Sequence, residues 1–264
     1  MYNFDVAKNV ENLIEWIRDW FNKNGKDCKA IIGISGGKDS TVAAALCVKA
    51  LGKDRVIGIL MPNNYQSDIN DSLEVVKYLG IKYYICNIGD IYTSLLEDID
   101  YELDNSSISI SEQTKINLAP RLRMTTLYAF SQSLNGRVIN TCNLSENICG
   151  YSTLYGDHAG DVSLFDQLTV TEIKQIGHFL NLPKHLVDKI PSDGLTDKTD
   201  EDAFGFTYEE LDKFIRTGQA DKEIRNKIFT RYKNGKFKLD IINFPHFNPN
   251  LRNYILSTEH YYTK

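Results

Sequence analysis

Along this chain, short apolar runs alternate with stretches whose apolar residues recur every three or four positions. Val6, Val10, Leu13, Ile14, Ile17 and Phe21 fall at helical spacing and predict an amphipathic first helix. KAIIGIS, ending at Ser35, then reads as a buried strand, and Asp39 to Leu51 as a helix stopped by Gly52. RVIGILMP is a second strand, and SDINDSLEVVKYLG a second crossover helix with Gly80 past its end. KYYICNI is a third strand. A helical stretch follows from Ile91 to about Asp98, then a polar acidic link from Asp100 to Glu112. A long helix from about Thr114 to Leu134 leads into RVINTCN, another strand. Strands separated by helices require right-handed crossovers, so the pattern predicts an α/β fold: a doubly wound parallel sheet flanked by helices and Rossmann-like.

Beyond Asn143 the periodicity weakens into two loop-rich segments, about 144–168 and 190–206, separated by a helix over Val170 to Leu180 and followed by the helix YEELDKFIRTG. Long loops in a compact fold are usually binding loops or lids. No composition break divides residues 1–264, so a single domain is expected. No apolar run could span a bilayer and the N-terminus does not resemble a secretory signal, which predicts a soluble, cytoplasmic protein with no membrane association. Five cysteines show no metal spacing and are expected to be inert thiols. The net charge of −5 argues against a nucleic-acid partner. The stretch KEIRNKIFTRYKNGKFK is locally basic, either as a solvated face or as a segment facing an anion.

The most informative stretch is GISGGKDS, Gly33, Ile34, Ser35, Gly36, Gly37, Lys38, Asp39 and Ser40, at the exit of the first strand. Ligands of open parallel sheets bind at the strands' carboxyl ends, where strand order reverses. Two glycines let the backbone turn and aim consecutive N–H groups at an anion, Ser35 and Ser40 add hydroxyls, and the next helix adds its positive end. The spacing is neither GxxxxGK[ST] nor GxGxxG. A carboxylate inside a phosphate cradle is repulsive unless a divalent cation bridges it to phosphate oxygens, so Asp39 predicts bound Mg²⁺. The plainer alternative makes Asp39 an N-cap in a glycine-rich turn.

SGGKDS resembles the SGGxDS loop of the N-type ATP pyrophosphatases, whose fold is adenine nucleotide alpha hydrolase-like. INLAPRLRMTTLYAFS, NTCNLSENICGYSTLYGDHAGDVSLF, IPSDGLTDKTDEDAFGFTYEELD and NGKFKLD are similar, in order, to successive blocks of ammonia-dependent NAD synthetase. The resemblance covers roughly Val10 to Asp240. It implies adenylation of deamido-NAD by ATP, loss of pyrophosphate, and displacement of AMP by ammonia. Adenylation turns a poor acylating agent into one with a good leaving group.

Residue by residue, the likeness makes Asp39 and Glu146 the Mg²⁺-binding pair and residues 33–40 the phosphate cradle. It makes Thr141 and Ser192 ATP contacts and places Leu60 beside the adenine. Asn117, Arg121, Asp157, Asp161 and Lys238 match deamido-NAD contacts. Ser35, Lys38, Asp39 and Asp157 are the candidate catalytic residues, Asp157 as a base for ammonia. Three residues depart from the pattern: Leu154, Val170 and Phe237 stand where relatives often have cations. Lys38, Arg121 and Arg123 are candidates to compensate. The likeness also implies a homodimer, with the first helix and the Thr114 to Leu134 helix as candidate contacts, and no amidase domain. Two rival readings are an adenylating tRNA-modifying enzyme, which would want a basic surface, and a non-catalytic nucleotide-binding protein, which would not need two carboxylates at a triphosphate.

Overall fold

A computed structural model describes residues 2–189, 200–241, 247–251 and 254. Five strands form one sheet: β1 (Lys29–Gly33), β2 (Val56–Leu60), β3 (Lys82–Ile85), β4 (Gly136–Asn140) and β5 (Val162–Ser163). Their order is β3-β2-β1-β4-β5, and every pairing is parallel. The chain winds outward from β1 through β2 to β3, then crosses to β4 on the other side. The switch point therefore lies between β1 and β4, at the exit of β1, where GISGGKDS begins.

β1 is buried on both faces because its side chains alternate. Ala30 and Ile32 join a core with α1 (Val6–Asn24), α2 (Lys38–Leu51), α3 (Ile69–Leu79) and α7 (Val170–Phe179). Ile31 joins Ile57, Ile59, Met61, Ile88 and Ala119 beneath α5 (Glu112–Ser133). α1 buries Leu13, Ile17 and Phe21 completely, worth roughly 1.5–3 kcal/mol per side chain relative to exposure. Its apolar stripe packs on this chain's own core. A third cluster joins α6 (Leu144–Cys149), α9 (Asp200–Phe204), α10 (Tyr208–Thr217) and α11 (Lys222–Ile241).

Two elements differ from the sequence reading. α4 spans Gly89–Asp104, so the predicted acidic link is largely helical. Its half-buried residues Tyr92, Leu96, Ile99 and Leu103 continue the helical stripe through the acidic stretch, whose charges point to solvent. The basic segment near the C-terminus is α11, which buries Ile228 and Tyr232 and sets Gly235 against Gly150 so closely that a Cβ on Gly150 would lie 2.7 Å from Gly235 Cα. The first loop-rich segment also carries α6 and β5. Among the described residues no helix is long and apolar enough to cross a membrane.

Candidate active site

The loop after β1 is held by its own short polar side chains. Ser40 Oγ accepts from Ser35 N–H at 3.3 Å and lies 3.2 Å from Ser35 Oγ, which accepts from Gly37 N–H at 3.2 Å. Thr41 Oγ1 donates to Gly37 O at 2.7 Å. Gly36 has φ +78°, and a Cβ there would lie 2.6 Å from Asp71 Cβ and 2.8 Å from Ser72 N, so only glycine fits. Ile34 is buried in the core, which ties the loop to the sheet, while Ser35 is exposed. The N-cap of α2 is Gly37, with no side-chain capping bond. Asp39 therefore sits in the first turn and is not a cap, which disposes of the plainer alternative.

Asp39 is bracketed by two partners. Lys38, only 3% exposed, donates to Asp39 Oδ2 at 2.9 Å and lies over the Tyr208 ring, 5.7 Å from its centroid. Burial alone would lower the Lys38 pKa, but Asp39 and Glu146 outweigh it and hold the ammonium above its ordinary value. From β4, Asn143 Nδ2 donates to Asp39 Oδ1 at 3.2 Å. Asn143 is also the N-cap of α6: its Oδ1 accepts from Glu146 N–H at 3.0 Å, and its own N–H donates to Glu146 Oε2 at 3.2 Å. One buried asparagine thus fixes both predicted metal-binding carboxylates.

Glu146 is surrounded by protein yet keeps some solvent access. Burial and the neighbouring Asp39 push its pKa up to about 8, against the pull of Lys38. Two carboxylates so placed are a strained pair that a cation would relieve. No cluster of three or more His, Cys, Asp or Glu occurs among the described residues, so the protein offers two ligands and leaves the rest of a coordination sphere to others.

Asp157 lies beside the end of β4 and is exposed, yet the protein around it raises its pKa, against hydrogen bonds from Thr153. Thr153 N–H donates to Asp157 Oδ1 at 2.8 Å, and Asn140 Nδ2 donates to Asp157 O at 2.9 Å, anchoring it at the end of β4. Cys142 Sγ donates to Asp157 O at 3.3 Å; burial, then Asp157, Glu146 and Asp39, keep it a thiol. The expectation of an inert cysteine fits here.

The other predicted residues divide. Thr141 follows β4 at the same end of the sheet, half-buried. Asn117 Oδ1 accepts from Thr153 Oγ1 at 3.0 Å, and Arg121 Nε donates to Leu154 O at 3.3 Å, so both α5 residues reach the Thr153–Asp157 turn. Asp161 is engaged by the framework: Oδ2 accepts from Val138 N–H at 2.7 Å and Oδ1 from Tyr128 OH at 3.4 Å. Leu60 ends β2 with its side chain in the core and its carbonyl accepting from Cys86 N–H at 2.9 Å. Lys238 donates to Gly150 O at 2.8 Å and Ser152 O at 2.6 Å, and lines an open cavity of about 680 Å³ with Lys227 and Arg231. Ser192 lies outside the described residues.

Of the three departures, Val170 is a buried residue of the third core cluster, Phe237 is 54% exposed, and Leu154 has the Arg121 guanidinium on its carbonyl. Asn143 and Tyr208 were not singled out by the sequence, whereas Arg123 was named there as a cation that could compensate for these departures. Asn-x-x-Glu after a strand is a capping-box signature and could have pointed to Asn143.

A parallel sheet whose switch point carries an SGGxDS cradle and a carboxylate pair defines a nucleotide-binding α/β protein of the PP-loop class. The known proteins narrow this further. A family profile described as NAD synthase matches residues 9–241. An NH(3)-dependent NAD(+) synthetase of Pyrococcus furiosus is 37% identical over 233 residues, 86% of each chain. The NMN synthetase of Francisella tularensis superimposes with a TM-score of 0.80 at 33% identity, covering 93% of this chain and 100% of that one. An NH3-dependent NAD synthetase from Campylobacter jejuni, in complex with the nitrate ion, gives 0.71 at 29% identity, covering 93% and 100%. The chain belongs to the NAD synthase family, carbon–nitrogen ligases whose reaction is the ATP-dependent amidation of deamido-NAD.

Proposed function

We propose that this chain carries out its family's reaction with free ammonia. The carboxylate of deamido-NAD attacks the α-phosphorus of ATP, pyrophosphate leaves, and ammonia displaces AMP from the acyl adenylate. The observation that carries this reading is the Asn143 bridge, which sets Asp39 and Glu146 together beside a cradle whose lysine is buried. The pair fits Mg²⁺, which is commonly bound through one or two carboxylates plus substrate phosphates and water. Bound there, the ion would neutralise triphosphate charge against the approaching carboxylate.

The remaining work falls to side chains. Ser35, Ser40 and the start of α2 are assigned to the phosphates, which would take over the Ser35 and Gly37 N–H groups that the two hydroxyls hold in this structure. Asn117, Arg121 and Lys238 are assigned to deamido-NAD, and Asp161 to the framework that holds their turn in place. Asp157, exposed beside the end of β4 and raised in pKa, is assigned to take the proton that ammonia loses as the amide forms. We further assign a homodimer contact to the face of α4 and α5, where Ile91, Leu95 and Tyr101 are exposed and α5 buries completely only Ala119 and Ser131.

The test is product analysis of the purified protein with ATP, Mg²⁺, ammonium and deamido-NAD. The expected result is NAD, AMP and pyrophosphate in equal amounts. ATP and deamido-NAD binding without product would instead establish a nucleotide-binding protein. The likeness to NMN synthetase favours a second acceptor, the nicotinate mononucleotide, and the same assay with both acceptors ranks the two.

A further inference from the structure

Of the cations that could compensate for the three departures, Arg123 has no ligand assigned to it. Arg123 is half-buried on α5, and its Nε donates to Met61 O at 3.1 Å, at the end of β2. Met61 touches the first residue of the cradle: a Cβ built on Gly33 would lie 3.2 Å from Met61 Cε. That bond is the only one Arg123 makes among the described residues, so both terminal amino groups of its fork stay without a hydrogen-bond partner there. Burial lowers the guanidinium's pKa and the nearby Asp157 carboxylate opposes that shift. The strand order explains the geometry. β2 and β4 flank β1, so Arg123, held over β2, and Asp157, held over β4, stand on either side of the cradle's entrance.

Lys38 is already committed to Asp39, and Leu154, Val170 and Phe237 supply no charge. Among the described residues, Arg123 is a cation anchored beside the cradle whose terminal amino groups are not committed to the protein, and it can face an anion entering between the β2 and β4 sides. We propose that Arg123 binds the α-phosphoryl oxygens of the nucleotide while the adenylyl group passes to the acceptor carboxylate. This rests on the function proposed above. In the step, a carboxylate oxygen forms a bond to the α-phosphorus as the bond to the bridging oxygen breaks, and pyrophosphate departs with the electron pair. Arg123 stays protonated and transfers no proton. Its planar fork matches two phosphoryl oxygens at once, which a lysine cannot reproduce.

The experiment is pyrophosphate–ATP exchange with deamido-NAD and Mg²⁺ but no ammonia, alongside ATP affinity and thermal melting, for wild type, Arg123→Met, Arg123→Lys and Arg123→Ala. Arg123→Met is expected to slow exchange about 100-fold or more, the scale for losing a donor at a developing oxyanion. Its ATP affinity should hold within about threefold, since the contact strengthens in the transition state. Arg123→Lys should recover part of the rate, and added guanidinium ion should raise exchange in Arg123→Ala. Exchange in Arg123→Met within about threefold of wild type would overturn the assignment. So would a rate loss matched by equal losses in ATP affinity and melting temperature, with no rescue by guanidinium. A wild type showing neither exchange nor NAD would overturn the functional reading itself, a separate result from any behaviour of the variants.

Discussion

The cradle at residues 33–40 and the acidic segment at residues 143–161 meet at the carboxyl end of the sheet through the Asn143–Asp39 bond, but they use their polar groups in opposite ways. In the cradle, hydroxyls and backbone satisfy each other within a few residues. Asp39 is left with side-chain partners alone, Lys38 and Asn143. In the acidic segment, carboxylates are occupied by backbone: Glu146 closes a capping box, Asp157 receives Thr153 N–H, and Asp161 receives Val138 N–H. An acidic residue in the first region is available for chemistry, whereas one in the second also builds the wall that holds it. Substitutions should therefore separate activity from stability in the first region and mix them in the second.

The largest effect should come from Asp39→Ala. Product formation should fall about 100-fold or more, because a charge-neutralising ligand is lost at the triphosphate. Stability should fall far less than activity, since buried Lys38 loses its nearer carboxylate but keeps Glu146, which is itself relieved of a repelling neighbour, and a melting curve at neutral pH checks it. A matching loss of stability and rate would erase the distinction between the regions.

Gly36→Ala breaks the cradle by geometry. A Cβ 2.6 Å from Asp71 Cβ, at positive φ, should cost about 1–3 kcal/mol and displace the N–H groups that face phosphate. Denaturant unfolding and ATP affinity should both weaken. Asp161→Ala tests the opposite region: leaving Val138 N–H unsatisfied should cost about 1–3 kcal/mol of stability, with turnover per folded molecule changed only a few-fold. A severe turnover loss at unchanged stability would return Asp161 to the acceptor contacts.

Glu146 belongs to both regions, and pH separates its roles. Its pKa is raised in the folded protein from 4.5 to about 8, so the fold holds a proton that the unfolded chain has released. Stability associated with this group is present below about pH 4.5 and is lost as pH rises through about 8, at no more than about 1.4 kcal/mol per pH unit. Glu146→Gln keeps the capping acceptor and removes the titration, so its unfolding free energy should lack that fall. An identical pH profile in wild type and variant would show that Asp39 and Lys38 already neutralise the site.

This contrast also explains what could be read from the chain. The sheet, its crossovers and the cradle were legible because periodicity and glycine spacing are local signals, and α2 begins within a residue of expectation. The extent of α4 was not, because acidic residues masked a stripe that ends at Leu103. The Asn143 bridge and the Arg123 anchor join residues far apart in sequence, 104 positions in one case and 62 in the other, and no spacing rule encodes such pairs. Asp157 and Asp161 looked alike as acidic loop residues; only the fold shows that one stays exposed beside the end of β4 and the other secures a strand.

The smallest expected effect concerns Leu154. A lysine there would place a second cation beside Arg121, whose Nε already donates to the Leu154 carbonyl from an exposed position. If Arg121 supplies the charge, Leu154→Lys alone should change deamido-NAD affinity by less than about threefold. Arg121→Ala should weaken it about tenfold, the low end for a charge-assisted hydrogen bond. Adding Leu154→Lys to Arg121→Ala should then recover most of the loss, giving a coupling energy in a double-mutant cycle of affinities. Simple additivity would mean that the two positions serve different ligands, and the departure at Leu154 would then mark a difference in the acceptor that this cleft takes.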